Sequence, residues 1–375
     1  MPTTTENNLS TWGITPPERI GDPILGPRPA SRFRCPLGER EVQWEGKDVF
    51  NPAAVVRDGR VYMLYRAEDH VGVPEGTSRL GLAISNDGIH FERHDDPVLY
   101  PDDDCMAAYE WQGGCEDPRL VEDENGRYVL TYTAFDGNTA RLAVATSEDL
   151  RNWTKHGCAF AGAGMENQFC KAGSIVCRVE GERLVAARIQ GQYWMYWLRP
   201  GTTFAATSTD LINWEPVEMW GRSDRQVYDR DYPMHPFTGD EPPADQKSLK
   251  PVISPRRGRF DHALVEPGPP AVLTDGGIVL IYDAWNRMPG GDASVDDNHY
   301  TVGQVLMDPE DPTAVLARNT QPIMRPREPF EIQDAQLAPA TFVSSLIRFG
   351  DRWLVYYGTG DRFIAVARTE WKGGW

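Results

Sequence analysis

No run of about eighteen apolar residues occurs in this chain, so a membrane-spanning helix is not expected and no membrane partner is assigned. Basic residues are also scarce. Lys and Arg number 38 against 55 Asp and Glu, a formal net charge of −17, which leaves no basic stripe for a phosphate backbone and excludes nucleic acid as a partner. The six cysteines (Cys35, Cys105, Cys115, Cys158, Cys170, Cys177) form no CxxC pair, which weighs against zinc and against a redox dithiol; they read as reduced, buried thiols. The alternating Asp-x-Asp-x-Asp-Gly of a calcium loop is missing too, so Asp102-Asp103-Asp104 reads as a solvated turn. No metal and no cofactor is expected. The start, Met1-Pro-Thr-Thr-Thr-Glu, has neither the basic region nor the apolar core of a secretory signal, and the expected location is the cytoplasm.

What the chain does have is repetition. Five times a similar unit recurs, pairing an apolar strand that ends in a tight turn with a second strand rich in Tyr, Leu and Val. The first unit runs through Asn51-Pro-Ala-Ala-Val-Val, Asp58-Gly59, Val61-Tyr-Met-Leu-Tyr-Arg66 and Leu80-Gly-Leu-Ala-Ile-Ser85. The second runs through Asp117-Pro-Arg-Leu-Val, Asn125-Gly126, Tyr128-Val-Leu-Thr-Tyr132 and Arg141-Leu-Ala-Val-Ala-Thr-Ser147, closing on Trp153. Later copies begin near Lys171, Glu266 and Pro339, and the third takes Leu184 to Arg188 as its second strand. Strand repeats at this period predict an all-β fold, a five-bladed β-propeller whose first strands face one central channel. Residues 1–45, proline-rich and without periodicity, are expected to pack on the outside of a propeller spanning residues 46–375. The irregular stretch from Arg222 to Arg259 has the character of a lid or an excursion.

Equivalence of the units predicts which side chains meet. The first strands bring Asn51, Asp117, Lys171 and Glu266 to one rim, and the second strands add Arg66, Arg188 and Asp283. Carboxylates converging with cations suit glycoside chemistry, in which one carboxylic acid protonates the leaving oxygen and another carboxylate activates water. Blander roles are available for each. Asp117 before Pro118 is a common strand initiator, Glu266 can be a solvated turn acid, and Arg66, Arg141 and Arg188 can serve backbone carbonyls. Trp153 and Trp214, at the same point after a third strand, read as packing.

Four motifs in order, Asn51-Pro-Ala with Tyr65-Arg66-Ala67-Glu68, Gly114-Cys115-Glu116-Asp117-Pro118-Arg119, Gly268-Pro269-Pro270, and Tyr356-Tyr357-Gly358-Thr359-Gly360-Asp361, resemble glycoside hydrolase family 130 over roughly residues 45–368. The resemblance implies a five-bladed propeller acting on β-mannosides, most members with inorganic phosphate and a smaller group with water. It implies that Asp117 is the general acid, reaching the glycosidic oxygen through a substrate hydroxyl. It implies too that Asn51, Arg66 and Asp361 hold the mannose. Arg119, Arg141, Lys171 and Arg188 are further substrate-binding candidates.

The chain departs from the phosphorylase pattern at two positions. Where the phosphorylases carry a Lys and a His against phosphate, Leu264 and Asp283 stand here, and Glu266 adds another negative charge. A phosphate dianion entering such a pocket would meet like charges in a partly desolvated site, whereas water meets no such barrier. The expectation is an inverting β-mannosidase acting on short β-1,2-mannosides, with Glu266 the first choice of general base and Asp283 the second. The alternatives are an inverting β-mannoside phosphorylase releasing mannose 1-phosphate, and a non-catalytic sugar-binding propeller. Oligomeric state, including a homo-oligomer, stays open at this level.

Overall fold

The computed structural model describes residues 11–74, 76–218, 249–333, 335 and 338–374. Among them the protein is nearly all β. Its two helices, Ala107–Glu110 and Pro329–Ile332, are a single turn each. No helix of the described residues is long and apolar enough to cross a membrane.

The strands form successive antiparallel meanders. The first comprises Asp48–Arg57, Arg60–Glu68, Ser78–Ser85 and Glu92–Arg93. The second comprises Gly114–Glu122, Tyr128–Phe135, Ala140–Ser147 and Thr154–Cys158. The third has Lys171–Glu180, Gln192–Arg199, Thr202–Ser208 and Glu215–Pro216. In the fourth, Leu264–Pro267 and Ala271–Thr274 share Gly277–Asn286, followed by His299–Met307 and Val315–Arg318. The fifth has Phe342–Phe349, Arg352–Thr359 and Phe363–Thr369, and its outer position is filled from the other end of the chain by Glu18–Arg19. Gly13–Ile14 likewise pairs with Trp371–Lys372. Residues 11–45 thus contribute strands as well as cover.

The leading strands of the first two meanders, Asp48–Arg57 and Gly114–Glu122, are buried almost throughout. That is why they read as apolar runs rather than as alternation, since both faces of such a strand are covered. Neighbouring meanders share one apolar core each. Leu64 and Leu82 meet Leu120 and Leu130; Val121 and Leu142 meet Met195 and Trp197; Val176 and Tyr196 meet Val265 and Leu280; Ile281 and Val302 meet Val343 and Val355. The fifth shares its remaining core with the first, Ile347 and Leu354 against Val49 and Met63. Truncating a side chain as enclosed as Trp197 costs about 3–5 kcal/mol.

Two expectations are corrected here. The second strand of the third meander is Gln192–Arg199, not Leu184 to Arg188. Lys171–Glu180 is long enough to serve two antiparallel partners: Cys177 to Glu180 pair with the short strand Arg183–Ala186, and Lys171, Ser174 and Ile175 pair with Gln192–Arg199. The cysteines are not uniformly buried either. Cys105 is exposed and Cys158 half-buried, although all six are free thiols. Of the irregular stretch from Arg222 to Arg259, residues 222–248 lie outside the described residues. Its flanks are joined by a bridge between Glu218 and Leu249, and Pro251–Ile253 pairs with Thr202–Ser208. Trp153 and Trp214 each donate the indole N–H to the carbonyl three residues back, Leu150 and Leu211, as packing residues in equivalent turns.

Candidate active site

At the same point of several leading strands the ladder skips a residue. The shift falls between Phe50 and Pro52, at Asp117-Pro118, between Lys171 and Ser174, and between Val343 and Ser345. Such bulges bend the strand and re-aim a side chain. The bulged residues Asn51, Asp117 and Ala172 have φ of 45°, 46° and 56°, and Asp361 also lies in the left-handed region at 56°. Asn and Asp tolerate that conformation because a short polar side chain can bond locally; Ala172 has no such help and costs about 1–2 kcal/mol. Gly358 explains part of the Tyr-Tyr-Gly motif, since a Cβ there would stand 2.5 Å from Asn51 Oδ1.

The bulges deliver Asn51, Asp117 and Lys171 to one cavity of about 410 Å³, within the usual range for small ligands, joined by Arg66, Glu266 and Asp361. Asn51 Nδ2 donates to Asp117 Oδ1 at 2.7 Å, and Arg66 Nη1 donates to the same oxygen at 3.0 Å. The Lys171 ammonium sits 3.8 Å from Asp117 Oδ2 and 3.1 Å from Glu266 Oε1. One cation therefore links the two carboxylates expected to act on the bond.

Lys47, Arg66 and Lys171 line this cavity against five carboxyls, Glu68, Glu116, Asp117, Glu266 and Asp361. A buried site cannot hold so unequal a set fully ionised, and the acidities separate accordingly. Burial pushes Asp117 up, but Arg66, Lys171 and the Asn51 amide outweigh it and hold the carboxyl well below the ordinary range. Glu116 goes the other way. Burial, reinforced by Asp117 and Glu68, carries it to about 7 despite Arg66. Asp361 is pushed up to about 6 by burial, against Arg66, with Asp117 and Glu68 adding to the rise. Glu266 is raised by burial, which the Lys171 ammonium offsets only in part. Glu68, also buried, is lowered overall by Arg66 and Lys47.

Four expected site residues sit elsewhere. Asp283 is fully buried and pairs with Glu266 in the ladder, and its Oδ1 accepts the Val343 N–H at 2.8 Å. It does not line the cavity, and burial drives its carboxyl well above the usual range. Arg119 is buried too, and its guanidinium clamps backbone carbonyls: Gly268 at 2.6 Å, Pro267 at 3.2 Å, and Asp117 and Pro118. Arg141 donates to Glu166 O, Asp136 Oδ2 and Thr139 O. Arg188 is exposed beside Glu124, because it belongs to the extra hairpin of the third meander.

Glu68 and Glu116 also belong to the site, although neither is among the residues expected there. Arg66 Nη2 donates to both, and Ser78 Oγ lies between them. Glu68 is two residues from Arg66 on one strand and so shares its face, which was a readable signal. The apolar lining, including Phe135, Phe169, Trp285 and Tyr300, was also missed. Trp285 and Tyr300 stack with centroids 5.3 Å apart, and Leu264 joins them in one cluster.

A family model described as beta-1,4-mannooligosaccharide phosphorylase matches residues 27–236 and 237–372. The chain belongs to glycoside hydrolase family 130. Among relatives, a 1,2-beta-oligomannan phosphorylase of Thermoanaerobacter sp. (strain X514) is 30% identical over 342 residues, covering 90% of this chain and 94% of that protein. A solved structure reported under the statement that the GH130 family of mannoside phosphorylases contains glycoside hydrolases that target beta-1,2 mannosidic linkages in Candida mannan is 40% identical. Its TM-score is 0.86, over 97% of this chain and 96% of the other. A glycosyl hydrolase from Bacteroides ovatus gives the same identity, coverage and TM-score. The family's name for its model and the name of the sequence relative favour phosphorolysis over the hydrolysis expected from the sequence.

Proposed function

We propose that this protein hydrolyses β-mannosidic bonds with inversion, and that short β-1,2-linked manno-oligosaccharides are its substrates. The observation that carries the choice of water is the charge of the cavity. Five carboxyls line it, and its three cations are already engaged: Lys47 with Glu68, Arg66 with Glu68, Glu116 and Asp117, and Lys171 with Asp117 and Glu266. A phosphate dianion would have to displace those pairs, whereas water needs only a carboxylate to accept its proton.

In this mechanism Asn51, Arg66 and Asp361 hold the mannose, Asp117 supplies the proton to the leaving oxygen, and Glu266 takes the proton of the attacking water. Asp117 is ionised in the free site, so the sugar must loosen the grip of Arg66 and Asn51 before it can carry a proton. Glu116, raised by burial and sharing Arg66 with Asp117, is the neighbouring carboxyl that favours its protonated form. The fold in this account is a five-bladed propeller, supported by the cyclic sharing of cores between successive meanders.

Phosphorolysis is the second reading, and the names of the family model and of the 30%-identical relative favour it. Against it, Leu264 lines the cavity and Arg188 lies on the surface. The test is product analysis on β-1,2- and β-1,4-mannobiose with and without phosphate. Hydrolysis predicts free mannose at a rate indifferent to millimolar phosphate; mannose 1-phosphate as the main product would establish the alternative.

A further inference from the structure

Arg141 does not reach the cavity, yet it holds two of the loops that do. Its Nε donates to Glu166 O at 2.7 Å, and its Nη1 donates to Asp136 Oδ2 at 2.8 Å and Thr139 O at 2.9 Å. Phe135 immediately precedes Asp136, Phe169 lies three residues beyond Glu166, and both rings line the cavity. The backbone on either side of Arg141 completes the joint: Cys170 N–H donates to Ala140 O at 3.0 Å, and Leu142 N–H meets Cys170 Sγ at 3.3 Å. The Arg141 guanidinium also stands over the Tyr109 ring at 5.2 Å. Phe135 is fixed from the other side by Gly113, where a Cβ would stand 2.3 Å from the ring.

The strand ladder sets the backbone spacing between Phe135 and Asp117. Glu116, Cys115 and Gly114 pair in turn with Thr133, Ala134 and Phe135, so Phe135 sits about three residues, roughly 10 Å, outward along the strand from Asp117. Phe169 is two residues before Lys171. Both rings line the same cavity as the polar cluster of Asn51, Arg66 and Asp117.

We propose that Phe135 and Phe169 form the platform for the leaving-group sugar, taking the apolar face of a pyranose ring, and that Arg141 is the positioning residue that sets the two rings. This rests on the β-mannoside-cleaving reading of the site. An aromatic face covers the C–H surface of a sugar without competing for its hydroxyls, and a small leaving group forfeits that contact.

The experiment compares β-1,2-mannobiose with β-mannosyl fluoride, whose leaving group fills no sugar subsite. In Phe169→Ala and Phe135→Ala the ratio of kcat/KM on the disaccharide to that on the fluoride should fall about tenfold, mainly through KM of the disaccharide. Arg141→Met should lower the ratio in the same direction, and Arg141→Lys should recover part of it. Equal loss on both substrates, or an unchanged ratio in the Phe variants, would overturn the proposal. A wild-type protein that turns over neither substrate would instead overturn the proposed function on which it rests.

Discussion

Asp117 and Glu266 are both almost fully buried and share one ammonium, yet their acidities diverge. Asp117 stands among donors supplied by the first meander, Asn51 and Arg66, and is held low. Glu266 stands on the fourth meander among Leu264, Trp285 and Tyr300, with Lys171 as the cation beside it, and is raised. Burial alone pushes any carboxyl up; the number of donors decides whether it stays there. One wall of the cavity therefore holds its carboxyl charged, and the other raises its own.

The most severe way to break this contrast is Asp117→Asn. The amide keeps the hydrogen-bond reach but carries no proton, and turnover of an unactivated disaccharide should fall by about 10²–10⁴-fold with the thermal transition retained. Near-normal turnover would reduce Asp117 to a strand initiator.

Lys171→Met sharpens the contrast next. Removing a cation at 3.1 Å disfavours the ionised form of Glu266, so the acid limb of the kcat/KM profile should move to higher pH by about one unit or more. A profile that does not move would mean that Lys171 does not tune the base.

Smaller effects come from residues behind or outside the cavity. Asp283 has a folded pKa raised above its unfolded value, so it destabilises the fold progressively as pH rises from the unfolded pKa of about 3.9 toward the folded one. Asp283→Asn keeps an acceptor for the Val343 N–H and removes that penalty. Its melting temperature relative to wild type should therefore rise between pH 4 and pH 8, as followed by calorimetry; a difference that falls with pH contradicts this. Arg188→Ala should leave turnover and its indifference to phosphate at the wild-type level, and any loss would return Arg188 to the site.

Much of this was legible in the repeats. Asn51, Asp117, Lys171 and Glu266 lie near the starts of equivalent strands, and that equivalence was enough to place them in one cavity, though not to foresee the bulges that aim them. Arg188 was misread because the third repeat carries an extra hairpin, and a strand shared between two partners leaves no mark in an apolar pattern. Arg119 and Arg141 were misread for a different reason. A guanidinium that clamps carbonyls and one that binds a sugar look alike in sequence, and only the surrounding backbone separates them. The acidity of Glu116 was not readable at all, since it depends on Glu68 and Asp117 meeting around Arg66.

The most direct test of the central claim is turnover of β-1,2-mannobiose by Glu266→Gln in phosphate-free buffer. If Glu266 activates the attacking water, the loss should be about 10²–10⁴-fold while Asn51, Arg66 and Asp117 still bind the sugar. Near wild-type release of mannose by that variant would contradict the account.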